Sequence, residues 1–254
     1  MTASGQRTSP PGLLPTDTAE EVRQQQPKLA VLPIGSFEQH GAHLPLTTDT
    51  VIACTIAAEI AATHPVLLLP PLTISCSQEH AAWPGTVSIS AATLHTVVTD
   101  IAASLRRSGI GTLVLVNGHG GNYVLRNVVQ ESAGTGTRMA LFPGSADWDA
   151  ARRRAGVVTS SHSDMHAGEA ETSLLLHAHP ALVRPGYTAA DHVADDRKHL
   201  LTLGLTPYTP SGVIGRPSLA SATKGQELLA GLVDAFGEYA ALLAPEEVHR
   251  AATP

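Results

Sequence analysis

Four short stretches of the chain concentrate the side chains that can do chemistry. The first, GSFEQHGAHLPLTTDT over residues 35–50, sets Glu38 and His40 two residues apart, with Asp49 nine further on. Two carboxylates and an imidazole are hard-to-borderline ligands that suit Zn²⁺, Mn²⁺ or Fe²⁺. In a looped segment, positions i and i+2 can both approach one metal pair. A plain polar loop, ending in Asp49 as a helix cap, would use the same residues.

The second stretch, LVLVNGHGGN over 113–122, puts His119 just past an apolar run, where ligands of open α/β sheets gather. The glycines around it permit tight turning and close backbone approach. The stretch lacks the Lys-Ser/Thr of a phosphate-cradling loop, and its spacing is wrong for a dinucleotide fingerprint. In the third, SDMHAGEAETS over 163–173, His166 and Glu171 are five apart with Glu169 between them. A helix beginning near Ala167 would put His166 at its mouth and Glu171 about one turn in. Acids there are also ordinary partners of a helix dipole. The fourth, SCSQEHAAWPGTVS over 75–88, carries Glu79, His80 and Trp83 ahead of a Pro-Gly turn. Long loops at strand ends often shape substrate pockets, although Trp83 could equally be a solvent-shielding plug.

These stretches need elements to hold them. LAVLPIG (29–35), VLLLP (66–70), TLVLVN (112–117) and RMALFP (138–143) read as buried strands, apolar throughout rather than alternating. Helices are expected over 49–63, from a Ser90 cap through Arg107, near Val124–Ser132, and over about 218–243. Strands alternating with helices predict a parallel sheet covered on both faces. Residues 1–27, rich in Pro, Gln, Thr and Ser, read as an extended arm with one short helix near Thr18–Gln25. Residues 28–254 read as a single domain, with Val183–Arg216 contributing to a pocket or a subunit contact.

The bulk composition narrows the classes. A 254-residue chain with 43% hydrophobic content can bury one substantial core. A formal net charge of −6 gives no reason to expect nucleic acid or an anionic membrane as partner. No apolar run reaches membrane-spanning length and no signal segment is evident, so the expected compartment is the cytoplasm. Thirteen histidines against 4% aromatics is unusual, but position decides what they mean. Of the two cysteines, Cys54 lies in an apolar run and reads as buried and inert, whereas Cys76 lies in a polar loop.

Taken in order, GSFEQHGAHLPLTTDT, EHAAWPGTVS, LVNGHGGN and HAGEAETS resemble the creatininase family of amidohydrolases. The likeness runs from about Leu29 to about Tyr239. It implies a three-layer α/β/α sandwich with a mainly parallel central sheet, two divalent metal ions (Zn, Mn or Fe) and usually a homohexamer. By this resemblance Glu38, His40, Asp49 and His119 match family metal ligands, with Asp49 at the bridging position, and His166 matches the position credited with proton transfer. True creatininases carry Tyr and Glu after the NGH histidine, and that Glu binds metal. Gly120 and Gly121 stand there in this chain, so creatinine is not the expected substrate. Glu171 is the natural replacement ligand, with a further role in acid–base chemistry open to it.

The GHGG branch resembles formamidopyrimidine-type deformylases, the mycofactocin-precursor peptidase and a keto-inositol hydrolase. The resulting expectation is hydrolysis of a non-peptide or small-peptide amide C–N bond by a metal-bridging hydroxide. Glu79, His80, Trp83, Gly120, Gly121 and Asn122 are the expected substrate contacts. Two alternatives remain: an inactive member acting as a metal-stabilised binding or assembly protein, and a cysteine hydrolase using Cys76 and His80.

Overall fold

Four apolar runs become the strands of one parallel sheet in the computed structural model of the protein, which describes residues 14–244. They are β1 (Leu29–Ile34), β2 (Val66–Leu68), β3 (Thr112–Asn117) and β4 (Arg138–Phe142), in the order β2-β1-β3-β4. Leu29 aligns with Val66 on one side and Thr112 on the other, and Thr112 aligns with Arg138. Among the described residues the α-helices are α1 (Ala19–Gln25), α2 (Thr48–Thr63), α3 (Ala91–Arg107), α4 (Val124–Ser132), α5 (Ser145–Arg154), α6 (Glu169–Ala178), α7 (Leu200–Leu203) and α8 (Ala222–Leu243).

Alternate side chains of each strand feed two cores, which is why the strands are apolar throughout. Val31, Val114, Val116 and Phe142 pack with Ile52, Ile56 and Ile60 of α2, Leu174 of α6 and Leu228, Leu232 and Phe236 of α8. On the opposite face Ala30, Leu32, Leu113 and Leu115 meet Leu94, Val98 and Leu105 of α3 and Leu125 and Val128 of α4. The result is the expected α/β/α sandwich with a parallel central sheet. The connections from β1 to β2 and from β2 to β3 run through α2 and α3, on opposite faces. Neighbouring β1 and β3 therefore leave a crevice at their carboxyl ends, where such sheets bind ligands.

Local chemistry sets the helix ends. Ser90 caps α3 by accepting the Thr93 N–H at 3.1 Å, as expected. The last helix starts later than the expected 218: Ser221 is its cap, accepting the Lys224 N–H at 3.2 Å, and Pro217–Leu219 forms a separate 3-10 turn. Likewise α6 starts at Glu169 and not near Ala167, because Ala167 adopts a left-handed φ of 53° that no α-helix contains. Helix α5 was absent from the sequence-based assignment. Its start is marked by Asp147, which accepts the Gly144 N–H at 2.7 Å, and its end by Arg152, Arg153 and Arg154. The short helix expected near Thr18–Gln25 is α1, with Thr18 as its cap. The expected arm over residues 1–13 lies outside the described residues, as do residues 245–254. Among the described residues no helix is long and apolar enough to cross a membrane.

Candidate metal centre

The loop after β1, the first turn of α2 and the loop after β3 converge in that crevice. Gly118 makes the approach possible: a Cβ there would lie 2.4 Å from the Asp49 carbonyl. Asp49 consequently faces two rings at once. Its Oδ1 is 2.9 Å from His40 Nε2, and its Oδ2 is 3.0 Å from His119 Nδ1 and accepts the Ser36 hydroxyl at 2.7 Å. Each ring is anchored from behind. His40 Nδ1 donates to the Glu38 carbonyl at 3.1 Å, and His119 Nε2 to the Cys76 carbonyl at 2.7 Å. Backbone anchors of this kind set the tautomer that leaves the other nitrogen facing a metal.

Glu38 is fully buried, yet neither carboxylate oxygen has a hydrogen-bond partner. Its Oε1 lies 3.2 Å from His80 Nε2 and 3.3 Å from His119 Nδ1, close but not in hydrogen-bond alignment. A buried carboxylate without hydrogen bonds is costly unless a cation compensates it. The donor set therefore fits a divalent cation on its own chemistry.

His166 closes the centre from the mouth of α6. Its backbone pairs with Ile214 in both directions at 2.9 Å, and its Nε2 donates to the Gln39 carbonyl at 2.6 Å. This leaves Nδ1 turned inward, 3.8 Å from Glu38 Oε1. Glu171, in the first turn of α6, accepts the Ala167 N–H at 2.7 Å and places Oε2 3.9 Å from His40 Nε2. Its side chain is 23% exposed, which opens this corner to solvent. Three overlapping triads have ligand atoms within 4.8 Å of one another: Glu38–His40–Asp49, His40–His166–Glu171 and Glu38–His80–His166.

Electrostatics follow from this crowding. Burial would raise the Asp49 carboxyl, but His40 and His119 hold it well below the usual carboxylate range. Burial opposes charge on His40, yet Asp49, Glu171 and Glu38 push the ring up to about 9. His119 is raised well above its ordinary value against the same burial, by Glu38 and Asp49. His166 moves the other way, well below its usual value, through burial and the neighbouring His40 and His80. Burial also lowers His80 to about 4 and raises Glu171 to about 7. Acidic groups gathered around two basic rings form an environment that attracts positive charge.

A cavity of about 390 Å³ opens beside the centre, lined by His119, Gly120, Tyr123, Trp148, Met165 and Glu171 among others. Gly120 contributes open space, since a Cβ there would meet nothing within 4 Å. Gly121 points the other way, against Glu79 and the His119 ring. Asn122 lines the cavity, but its amide is engaged by the Cys76 N–H at 3.1 Å and by Asn117 Oδ1 at 3.0 Å. Glu79 Oε1 lies 3.6 Å from His119 Nε2, and burial raises its carboxyl. Trp83 does not line this cavity; its ring centre is 6.4 Å from that of His80. No residue of 183–216 lines it either, and that segment instead braces His166 and Gln39 from below. Ser36, Gln39, Asn117, Tyr123 and Trp148 are contributors that the sequence reading did not single out.

Both cysteines are free and buried, including Cys76, whose loop had looked polar. Burial raises the Cys76 thiol, the opposite of what activates a nucleophilic cysteine. The cysteine-hydrolase alternative therefore has no support from this geometry.

A parallel α/β/α sandwich that gathers buried carboxylates and imidazoles at the carboxyl rim of its sheet is the framework of a metal-dependent hydrolase. The family model for creatininase (creatinine amidohydrolase) matches residues 15–240, and the chain belongs to that family. It is 35% identical over 236 residues to a mycofactocin precursor peptide peptidase of Mycobacterium ulcerans, covering 88% of each chain. It is 28% identical over 238 residues to a creatinine amidohydrolase of Pseudomonas putida, covering 82% of this chain and 88% of that one. Among solved structures, a manganese creatininase superposes with a TM-score of 0.74 at 24% identity, over 88% of this chain and 94% of the other.

Proposed function

We propose that the protein hydrolyses an amide C–N bond in a small-molecule or short-peptide substrate, using two divalent cations held at the β1/β3 rim. The observation that carries this reading is Asp49, whose two oxygens face His40 and His119 separately while Glu38 lies buried without a hydrogen bond. Glu38, Asp49 and His119 would hold one cation; His40, Asp49 and Glu171 would hold the other. Bound there, such ions supply Lewis acidity and bring the pKa of water from roughly 15.7 to about 7.

The chain's own groups do the rest. His166, neutral and tethered through Nε2, presents Nδ1 to the centre. It accepts the proton of the attacking water at that atom and passes it to the leaving nitrogen, a contribution of roughly 10²–10⁴-fold. Tyr123 and Trp148 flank the substrate in the cavity, and Gly120 leaves room for a group bulkier than a small ring. Peptide-like amides are favoured over creatinine for this reason and because of the likeness to the peptidase. Assembly into a homohexamer, by the same family likeness, goes with this reading.

The test is hydrolysis of a panel of formamides, small amides and short peptides, before chelation, after it, and after restoring Zn²⁺ or Mn²⁺. Cleavage of at least one substrate should vanish on chelation and return with metal. Cleavage that survives complete metal removal would sink the reading.

A further inference from the structure

By distance alone His80 belongs to a ligand triad with Glu38 and His166. The bonds on its far side say otherwise. The Gly41 N–H donates to Gln39 Oε1 at 2.9 Å, and Gln39 Nε2 donates to the Gly212 carbonyl at 3.0 Å. Together they decide which end of the amide is oxygen and which is nitrogen. Gly212 presses the amide into place: its φ is +85°, and a Cβ there would lie 1.8 Å from Gln39 Oε1. The remaining hydrogen of Gln39 Nε2 points to His80 Nδ1, 2.9 Å away. A ring nitrogen that accepts a hydrogen bond carries no hydrogen, so in the neutral ring Nε2 does.

This inverts the pattern of the other three rings. His40, His119 and His166 each anchor one N–H on a backbone carbonyl and turn the other ring nitrogen, the one a cation would take, to the centre. His80 turns its N–H inward instead, and a nitrogen bearing hydrogen has no lone pair for a cation. The oxygen it faces is Glu38 Oε1, 3.2 Å away and outside hydrogen-bond alignment, on a carboxylate that has no hydrogen bond. The Ser36 hydroxyl donates to Asp49 and not to Glu38.

We infer that His80 is a positioning residue and not a ligand, locked by Gln39 with its Nε2–H turned toward the Glu38 carboxylate at 3.2 Å, a dipole that steadies that charge without a formed hydrogen bond. The inference rests on the reading of Glu38 as a cation ligand. Ligating carboxylates are themselves held by hydrogen bonds, and loss of such a partner typically weakens metal affinity by about 10–100-fold.

The experiment is Zn²⁺ affinity of the full chain, measured by competition with a chromophoric chelator, alongside ¹⁵N NMR of the zinc-loaded imidazoles. His80→Leu should weaken Zn²⁺ binding by about 10–100-fold. His80→Gln, which restores an N–H donor, should stay near the parent. Gln39→Glu, which cannot donate to Nδ1, should weaken binding as His80→Leu does. NMR of the unaltered protein, which needs no variant to fold, should show His80 with a protonated Nε2 and a bare Nδ1. A zinc-bound Nε2, or His80→Leu with parental affinity, overturns the inference. Glu38→Gln separates the two levels. If it weakens binding while His80→Leu does not, only this inference fails; if it binds Zn²⁺ as the parent does, the metal-centre reading fails with it.

Discussion

The Glu79 carboxylate stands where a side chain on residue 121 would have to go: a Cβ on Gly121 would lie 2.1 Å from Glu79 Oε1. The same point is 2.4 Å from His119 Nε2, whereas a Cβ on Gly120 would meet nothing within 4 Å. The two adjacent glycines thus do different things. Gly121→Ala should cost about 1–3 kcal/mol through overpacking, and Gly120→Ala should stay within about 0.5 kcal/mol. Gly120→Tyr should fold and keep its metal but lose bulky substrates, with KM rising about tenfold for each 1.4 kcal/mol of lost binding. Thermal melts and a KM series check this, and equal melting shifts for the two alanine variants would refute it.

His119 and His166 should separate metal binding from turnover. His119→Ala should lose metal and activity together, because its Nδ1 faces both Asp49 and Glu38. His166→Ala should keep its metal and lose roughly 10²–10⁴-fold in rate, the usual contribution of a positioned acid or base. Metal content by mass spectrometry, paired with rates, decides. Full metal content in His119→Ala would mean that the ligand assignment is wrong.

Helix α6 carries Glu171, and Asp164 holds its start. Asp164 accepts the Glu169 and Ala170 N–H groups at 2.5 and 3.0 Å and pairs with buried Arg152 at 2.9 Å. Asp164→Ala leaves that guanidinium uncompensated and should cost about 3–5 kcal/mol. Replacing both partners, as in Arg152→Met with Asp164→Leu, should recover much of the loss. Urea midpoints measure both, and a double variant as unstable as the single one would argue against the pair.

Tyr239 gives a pH signature away from the centre. Burial first, then its hydrogen bond of 2.7 Å to Asp147, pushes the phenol up to about 12. The folded value lies above the ordinary one near 10. Its stabilising contribution is therefore complete below pH 10 and is lost as pH rises through about 12. Ultraviolet titration should show a late tyrosine ionisation near pH 12 that Tyr239→Phe lacks. The stability gap between parent and variant should close over the same interval. An unchanged titration curve in the variant would contradict this.

Much of this architecture was legible in the sequence because burial on both sheet faces writes unbroken apolar runs, as in Leu29–Ile34 and Thr112–Asn117. Asp49 and the glycines around His119 stood out for a related reason, since carboxylate, imidazole and glycine crowd into those short segments. Helix α5 was not, because its surface is mostly polar and its signals are electrostatic: Asp147 at the start and three arginines at the end. Trp148 went unnoticed with it. Gln39 lay inside the quoted motif yet drew no attention, because its role depends on Gly212, distant in sequence and adjacent only after folding. Ala167 shows the same limit: nothing in its residue type announces a left-handed turn.

The most direct test of the account is the divalent-metal stoichiometry of the purified chain and of Asp49→Ala, measured together with amide hydrolysis. Asp49 is the carboxylate that faces both His40 and His119. The account expects two ions per chain in the parent, with both ions and activity lost together in the variant. Two ions retained by Asp49→Ala, or hydrolysis by a parent chain stripped of metal, would contradict it.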